Sequence, residues 1–128
     1  MKRTVTALIA LLLIIIAAIP AHALPPYGET VDAVFSMRRG EDGALLSGAL
    51  AEEAGSTDAD WFAFAAGIAG ERQGADVYLT MLSRYAEAKY REAGALDPVK
   101  STEWHRIALT VLALGGDPTD FADHDLIK

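Results

Sequence analysis

The opening pattern of the chain is an apolar run with a basic edge. Residues 5–19 are apolar except for Thr6, behind Met1-Lys2-Arg3 and ahead of Pro20. As a helix the run spans about 22 Å, short of the ~30 Å hydrocarbon core of a bilayer. Ala21-His22-Ala23 follows, with small residues at the two positions a signal peptidase reads. The pattern predicts a cleavable signal peptide over residues 1–23 and a mature chain of residues 24–128, secreted or held at the cell surface. If it were retained, the same run would act as an N-terminal anchor.

Beyond it, apolar positions recur at helical spacing, and no segment alternates as a half-buried strand does. Leu24-Pro25-Pro26-Tyr27-Gly28 reads as an extended leader, taken to residue 29. A helical domain then covers residues 30–128. Thr30 is the expected N-cap of a short helix carrying Val31, Val34 and Phe35, ended by Arg38-Arg39-Gly40. A second helix is expected over about 44–54, with Leu46 and Leu50 inward and Gly55 as its stop.

A third should begin at Thr57 or Asp58, and from Trp61 to Ala69 it has no polar side chain. A helix without a polar stripe is expected to be buried on all sides. The fourth, about 76–93, is amphipathic. Tyr78, Leu79, Leu82, Tyr85 and Ala86 line one face, and Thr80, Arg84, Glu87 and Arg91 the other. The fifth runs from Ser101 towards Gly115-Gly116 and is again mostly apolar. The fold class is all-α.

The third and fifth segments align. Asp60-Trp61, Phe64-Ala65 and Ile68 match Glu103-Trp104, Ile107-Ala108 and Val111 at an offset of about 43 residues, without a gap. In each copy a more amphipathic helix precedes an apolar one, the mark of stacked helical hairpins. Trp61 and Trp104 are therefore expected in equivalent, largely buried places. Two hairpins leave one lateral face open, and the Ile107, Val111 and Leu114 stripe is the one expected in water. Such a face predicts self-association or docking to a longer helical protein.

Composition narrows the function classes. The 128 residues carry 11 Lys and Arg against 18 Asp and Glu, a net charge of −7, and Lys2 and Arg3 belong to the leader. That balance argues against nucleic acid, whose phosphates need a basic stripe, and against anionic lipid surfaces. There is no Cys, so no disulfide or thiolate-held metal contributes.

Candidate chemistry is sparse. His105 and Arg106 sit early on the fifth segment, where they would either bind an anion or satisfy neighbouring backbone or carboxylate groups, such as Glu103 or an acid on the adjacent hairpin. Asp117, Asp120, Asp123 and Asp125 crowd one loop with His124, a set of hard oxygen donors. The spacing is not that of an EF-hand, and Gly-Asp-Pro-Thr-Asp is ordinary turn chemistry. Trp61, Phe62, Phe64 and Trp104 are either core or the lining of an apolar pocket. There is no Gly-x-Ser-x-Gly, and neither His105 nor His124 has an evident serine partner. The reading is non-catalytic, with no cofactor, and Trp61, Trp104, His105 and Arg106 as the candidate ligand- or partner-binding residues.

The run Ser101-Thr102-Glu103-Trp104-His105-Arg106-Ile107-Ala108-Leu109, then Ala113-Leu114-Gly115-Gly116-Asp117-Pro118-Thr119 and Asp125-Leu126-Ile127, resembles a repeat of secreted bacterial proteins. Asp60-Trp61 with its Ala-rich continuation resembles it too. Those proteins belong to the prenyltransferase/squalene-cyclase-like α/α-toroid superfamily. The resemblance covers about residue 44 onward and implies concentric rings of inner and outer helices, here as a partial toroid. The cyclases' Asp-x-Asp-Asp acid motif is absent, Asp58-Ala59-Asp60-Trp61 coming nearest, and the Cys ligand of the zinc prenyltransferases is missing. What the resemblance implies is an exported binding module. The alternatives are a truncated or diverged cyclase-like fragment acting on an apolar substrate, or a remnant with no role of its own.

Overall fold

The computed structural model describes residues 27–128, in which the regular elements are helices: α1 Tyr27–Ser36, α2 Gly48–Glu52, α3 Thr57–Ile68, α4 Ala75–Ala93 and α5 Ser101–Ala113. Residues 1–23, read as a signal peptide, and the prolines of the leader lie outside the described residues. Two compact units divide at Thr30. Of Met1–Thr30 only the opening turn of α1 is described, and the packing below belongs to Val31–Lys128. Among the described residues no helix is long and apolar enough to cross a membrane.

Local chemistry sets the element ends. The leader was expected to stay extended to residue 29, with Thr30 as a cap, but α1 begins at Tyr27 and Thr30 lies within it. Proline suits the first turn of a helix, so a proline pair bars nothing that follows it. The helix expected over 44–54 shrinks to α2. Asp42 accepts from the Ala44 amide and the Ser47 hydroxyl, holding residues 44–47 in a turn. Gly48 then takes a positive φ of 55°, from which a helix cannot extend backwards. Ala44, Leu45 and Leu46 enter the core from that turn. Ser56, not Thr57 or Asp58, caps α3 by accepting from the Ala59 amide. Gly94, at φ 71°, closes α4 as expected.

The helices form two layers. α3 packs along α5, and α2 packs against α4. α3 and α5 run parallel, because contacts advance along both together: Thr57 and Asp60 meet Arg106, Asp60 meets Thr110, and Gly67 meets Ala113. The seam consists of Asp60, Ala63 and Gly67 on one helix and Arg106, Thr110 and Ala113 on the other, all buried. Each residue advances about 100° around its axis. One side of the paired layer therefore carries Ala59, Phe62 and Ala66 with Ile107, Val111 and Leu114. The other carries Trp61, Ala65 and Ile68 with His105, Leu109 and Leu112.

The first side faces the core. Ala59, Ala66, Ile107 and Val111 are fully buried, and Leu114 nearly so, in the same cluster as Leu45, Leu46, Tyr78, Leu82 and Ala86. Phe62 meets the edge of Phe35 at 5.4 Å, with the Arg38 guanidinium over its ring. The stripe Ile107, Val111 and Leu114, expected in water, is thus core, in one buried cluster with Tyr78, Leu82 and Ala86 of α4 and with Leu45, Leu46 and Leu50. Among the described residues nothing covers the second side. Trp61 is 44 % exposed, Ile68 69 %, Leu109 40 % and Leu112 61 %. This corrects the expectation that α3 is buried on all sides and that both Trp side chains are largely buried.

Gly67 permits the close approach of the two helices. A Cβ there would stand 2.6 Å from the Ala113 carbonyl oxygen and 2.8 Å from its carbon. Gly67→Ala is expected to force the seam apart and cost about 1–3 kcal/mol despite the better helix propensity of Ala. Chemical denaturation of the two proteins measures this; an unchanged or raised stability would show that the seam is loose.

Candidate functional site

The most concentrated polar chemistry lies at the start of the seam. Arg106 is buried, and each of its five N–H groups has an acceptor. Nε donates to Asp60 Oδ2 at 2.9 Å, Nη1 to Glu103 Oε1 at 2.6 Å and Thr57 Oγ1 at 3.1 Å, and Nη2 to Glu103 Oε2 and the Gly55 carbonyl, both at 2.8 Å. Asp60, fully buried, spends its other oxygen on the Gly55 amide at 2.9 Å and the Tyr78 hydroxyl at 2.7 Å. Thr110 Oγ1 lies 2.9 Å from the Arg106 carbonyl and 3.1 Å from that of Asp60. The cluster ties α3, α4, α5 and the Gly55 turn together. Among the described residues no buried side-chain nitrogen or oxygen lacks a partner.

Charge follows this geometry. Burial alone would lower the Arg106 pKa, but the hydrogen bonds and charges of Glu103 and Asp60 raise it. Burial pushes the Tyr78 phenol far above its ordinary range, and the neighbouring Asp60 carboxylate pushes it further. Arg106 is thus a closed clasp between two acids. The aligned pair Asp60 and Glu103 converges on it.

Trp104 and His105 lead elsewhere. Together with Asp97, Val99, Leu109 and Ile127 they border an open groove of about 720 Å³ between the α4–α5 linker, α5 and the last residues of the chain. The Trp104 indole donates to the Asp97 carbonyl at 3.2 Å and meets the Tyr90 edge at 5.7 Å. Tyr90 stacks in turn on His124 at 3.4 Å. The Asp97 carboxylate accepts from the Lys100 and Val99 amides, which hold its pKa below the ordinary range and order the start of α5.

The four candidate residues are therefore split three ways. Trp104 and His105 share the groove, Arg106 is inside the clasp, and Trp61 stands on the uncovered side, its ring against the edge of Phe64 at 5.7 Å. Leu109 joins groove and uncovered side. Sequence reasoning missed Leu109 and Leu112, although their place follows from Arg106 and Thr110 once those are known to line the seam.

The acidic loop is a turn. Asp117 accepts from the Thr119 hydroxyl and amide, and Asp125 accepts from the Ile127 amide and pairs with Lys128; these bonds lower both pKa values. Phe121 and His124 exchange backbone hydrogen bonds around Ala122 and Asp123, at φ of 55° and 60°. Among the described residues no group of three or more potential ligands is placed to hold a metal ion.

Comparison with known proteins finds no family model, no curated protein and no solved structure that matches this chain.

Two outcomes test the clasp. Arg106→Met leaves Asp60 buried without its cation and should cost about 3–5 kcal/mol in denaturation, with Asp60→Asn/Arg106→Met costing less than the two separate losses combined. Additive losses would show that the pair is not coupled. The second concerns alkaline pH. The unfolded chain releases the Tyr78 proton near pH 10 and the folded chain does not. The Tyr78 contribution is therefore complete below that pH and declines above it, by up to about 1.4 kcal/mol per unit. Between pH 10 and 12 the wild type should lose stability more steeply than Tyr78→Phe; equal slopes would mean that Tyr78 titrates as an open phenol.

Proposed function

We infer that residues 24–128 work outside the cytoplasm as a non-catalytic helical module that binds a protein or ligand through the uncovered side of the α3/α5 layer. The observation that carries this reading is the run of Trp61, Ile68, Leu109 and Leu112 on one side of two parallel helices, all partly in water. A helix surface of that kind is a contact surface. The groove beside Trp104 and His105 extends it. The two buried charged residues, Asp60 and Arg106, satisfy each other, which supports a structural rather than a chemical role for them.

The layering also supports the finer reading of the fold. With α3 and α5 as inner helices and α2 and α4 behind them, the domain has the order of an arc of an α/α toroid. Export rests on the leader pattern of residues 1–23 and on nothing else. A second reading, a diverged cyclase-like fragment taking an apolar substrate, draws on the groove alone.

Two measurements test the proposal together. The chain recovered from the culture medium should have the intact mass of residues 24–128, and full-length chain confined to washed membranes would contradict export. Ile68→Glu and Leu112→Glu, at a dilution where the chain is monomeric, should each change stability by no more than about 0.5 kcal/mol. A collapse of the thermal midpoint in either would mean that this side is part of the core and not a working surface.

A further inference from the structure

We propose that residues 117–128 form a strap that opens from the helices as one unit, hinged at Gly115-Gly116, and carries one wall of the Trp104–His105 groove with it. This goes beyond the binding surface above and does not depend on it.

The bonding of the segment is what sets it apart. Among the described residues, every hydrogen bond and ion pair made by residues 117–128 stays within them. The Leu126 amide donates to the Pro118 carbonyl at 2.8 Å, and the Asp120 amide to the Asp117 carbonyl at 3.3 Å. Phe121 and His124 exchange backbone bonds at 3.0 Å, Asp117 holds Thr119, and Asp125 holds the Ile127 amide and Lys128. Packing alone ties the segment to the helices. Phe121 and Leu126 enter the buried cluster, and the His124 ring lies on Tyr90 of α4 at 3.4 Å. A unit whose polar bonds are internal keeps them when it swings away. Its opening forfeits the burial of two large side chains and one ring stack, where global unfolding forfeits the whole core.

The same bonds make the anchors leave together. Ala122 and Asp123, both at positive φ, form the tight turn that closes Phe121 against His124, and the Leu126–Pro118 bond ties the third anchor to the start of the strap. The hinge is equally self-contained. The Gly115 and Gly116 amides donate to the Leu112 and Val111 carbonyls, so α5 closes its own last turn without help from the strap. Two glycines at an element end suit a change of backbone angle. Leu126, Ile127 and Lys128 line the groove together with Trp104, His105 and Ala108 of α5, so the wall they make leaves with them.

Hydrogen exchange of the chain as recovered, read amide by amide, tests the unit. The Phe121, His124 and Leu126 amides should share one opening constant, roughly 100-fold above that of the amides along the α3/α5 seam. Tyr78→Phe, which removes a bond far from the strap, should speed the seam amides roughly tenfold and leave the three strap amides unchanged. Strap amides that speed with the seam would overturn the proposal, because they would then exchange only by global unfolding. Three unrelated constants would overturn the single unit. The chain has no Cys, so Leu126→Cys and Ala108→Cys each supply one thiol, on the strap and on the α5 side of the groove. Both should react with a bulky maleimide at a rate set by strap opening, and His124→Ala should speed both about tenfold. An Ala108→Cys thiol that reacts like an exposed one, or that His124→Ala leaves unchanged, would overturn the link between strap and groove.

Discussion

A guanidinium buried between two helices must find five acceptors there or cost more than it contributes. Arg106 finds them, and the rest of the layer follows from where they are. Two come from Glu103 one turn earlier on its own helix, and three from the neighbouring segment: Asp60, Thr57 and the Gly55 carbonyl. The last three can be reached at once only if the Gly55 turn and the first turn of α3 lie beside the first turns of α5. That condition sets the helices parallel and fixes their level. Tyr78 brings α4 to the same point through Asp60. At the far end the contact is of another kind, with Gly67 removing the side chain that would hold Ala113 away. A polar clasp at one end and a close backbone approach at the other define one register between α3 and α5.

The register decides which apolar residues become core. Rotating about 100° from the seam in one direction reaches Ile107, Val111 and Leu114, and in the other Leu109 and Leu112. Only the first set is met by α4 and the segment from Ala44 to Ala51. The paired helices are apolar on both sides, and the domain supplies a covering layer for one. Burying a large aliphatic side chain is worth about 1.5–3 kcal/mol. A sequence that keeps Ile, Leu and Trp in water on one face forgoes a substantial stabilisation relative to its covered state.

This also explains what the sequence made legible. Helix number, the Gly94 stop, the inward stripe of α4 and the pairing of two like helices could all be read from spacing, because each depends on local periodicity. The offset of about 43 residues located the two helices of the seam. Burial could not be read in the same way. A helix apolar all round, such as 61–69, carries no polar face from which to orient it. The absence of a polar stripe does not entail burial on all sides; here it marks a helix with two apolar sides and one cover. Trp61 and Trp104 occupy aligned positions but unlike surroundings, since Trp104 has Tyr90 and Asp97 beside it and Trp61 has Phe64. The start of α2 depended on one positive φ at Gly48 and on the Asp42 turn, which no periodicity records.

The candidate site divides along the same line. Arg106 is visible as a charge in an apolar helix, and Glu103 or an acid on the adjacent hairpin as its partner, but which acid of that hairpin it is, Asp60, could not be read. It stood in an acidic first turn, where acids are ordinary on dipole grounds. What distinguishes Asp60 is that it lies in the seam itself, so that its carboxylate meets the neighbouring helix while Asp58 is exposed. The two acids, two residues apart, are separated by about 200° of helix. One holds the layer together and the other stands in water, on the edge of α3 turned away from α5. The same geometry places Arg106 inside and His105 outside on α5. Neighbouring polar residues on each helix are thus divided between the buried seam and water.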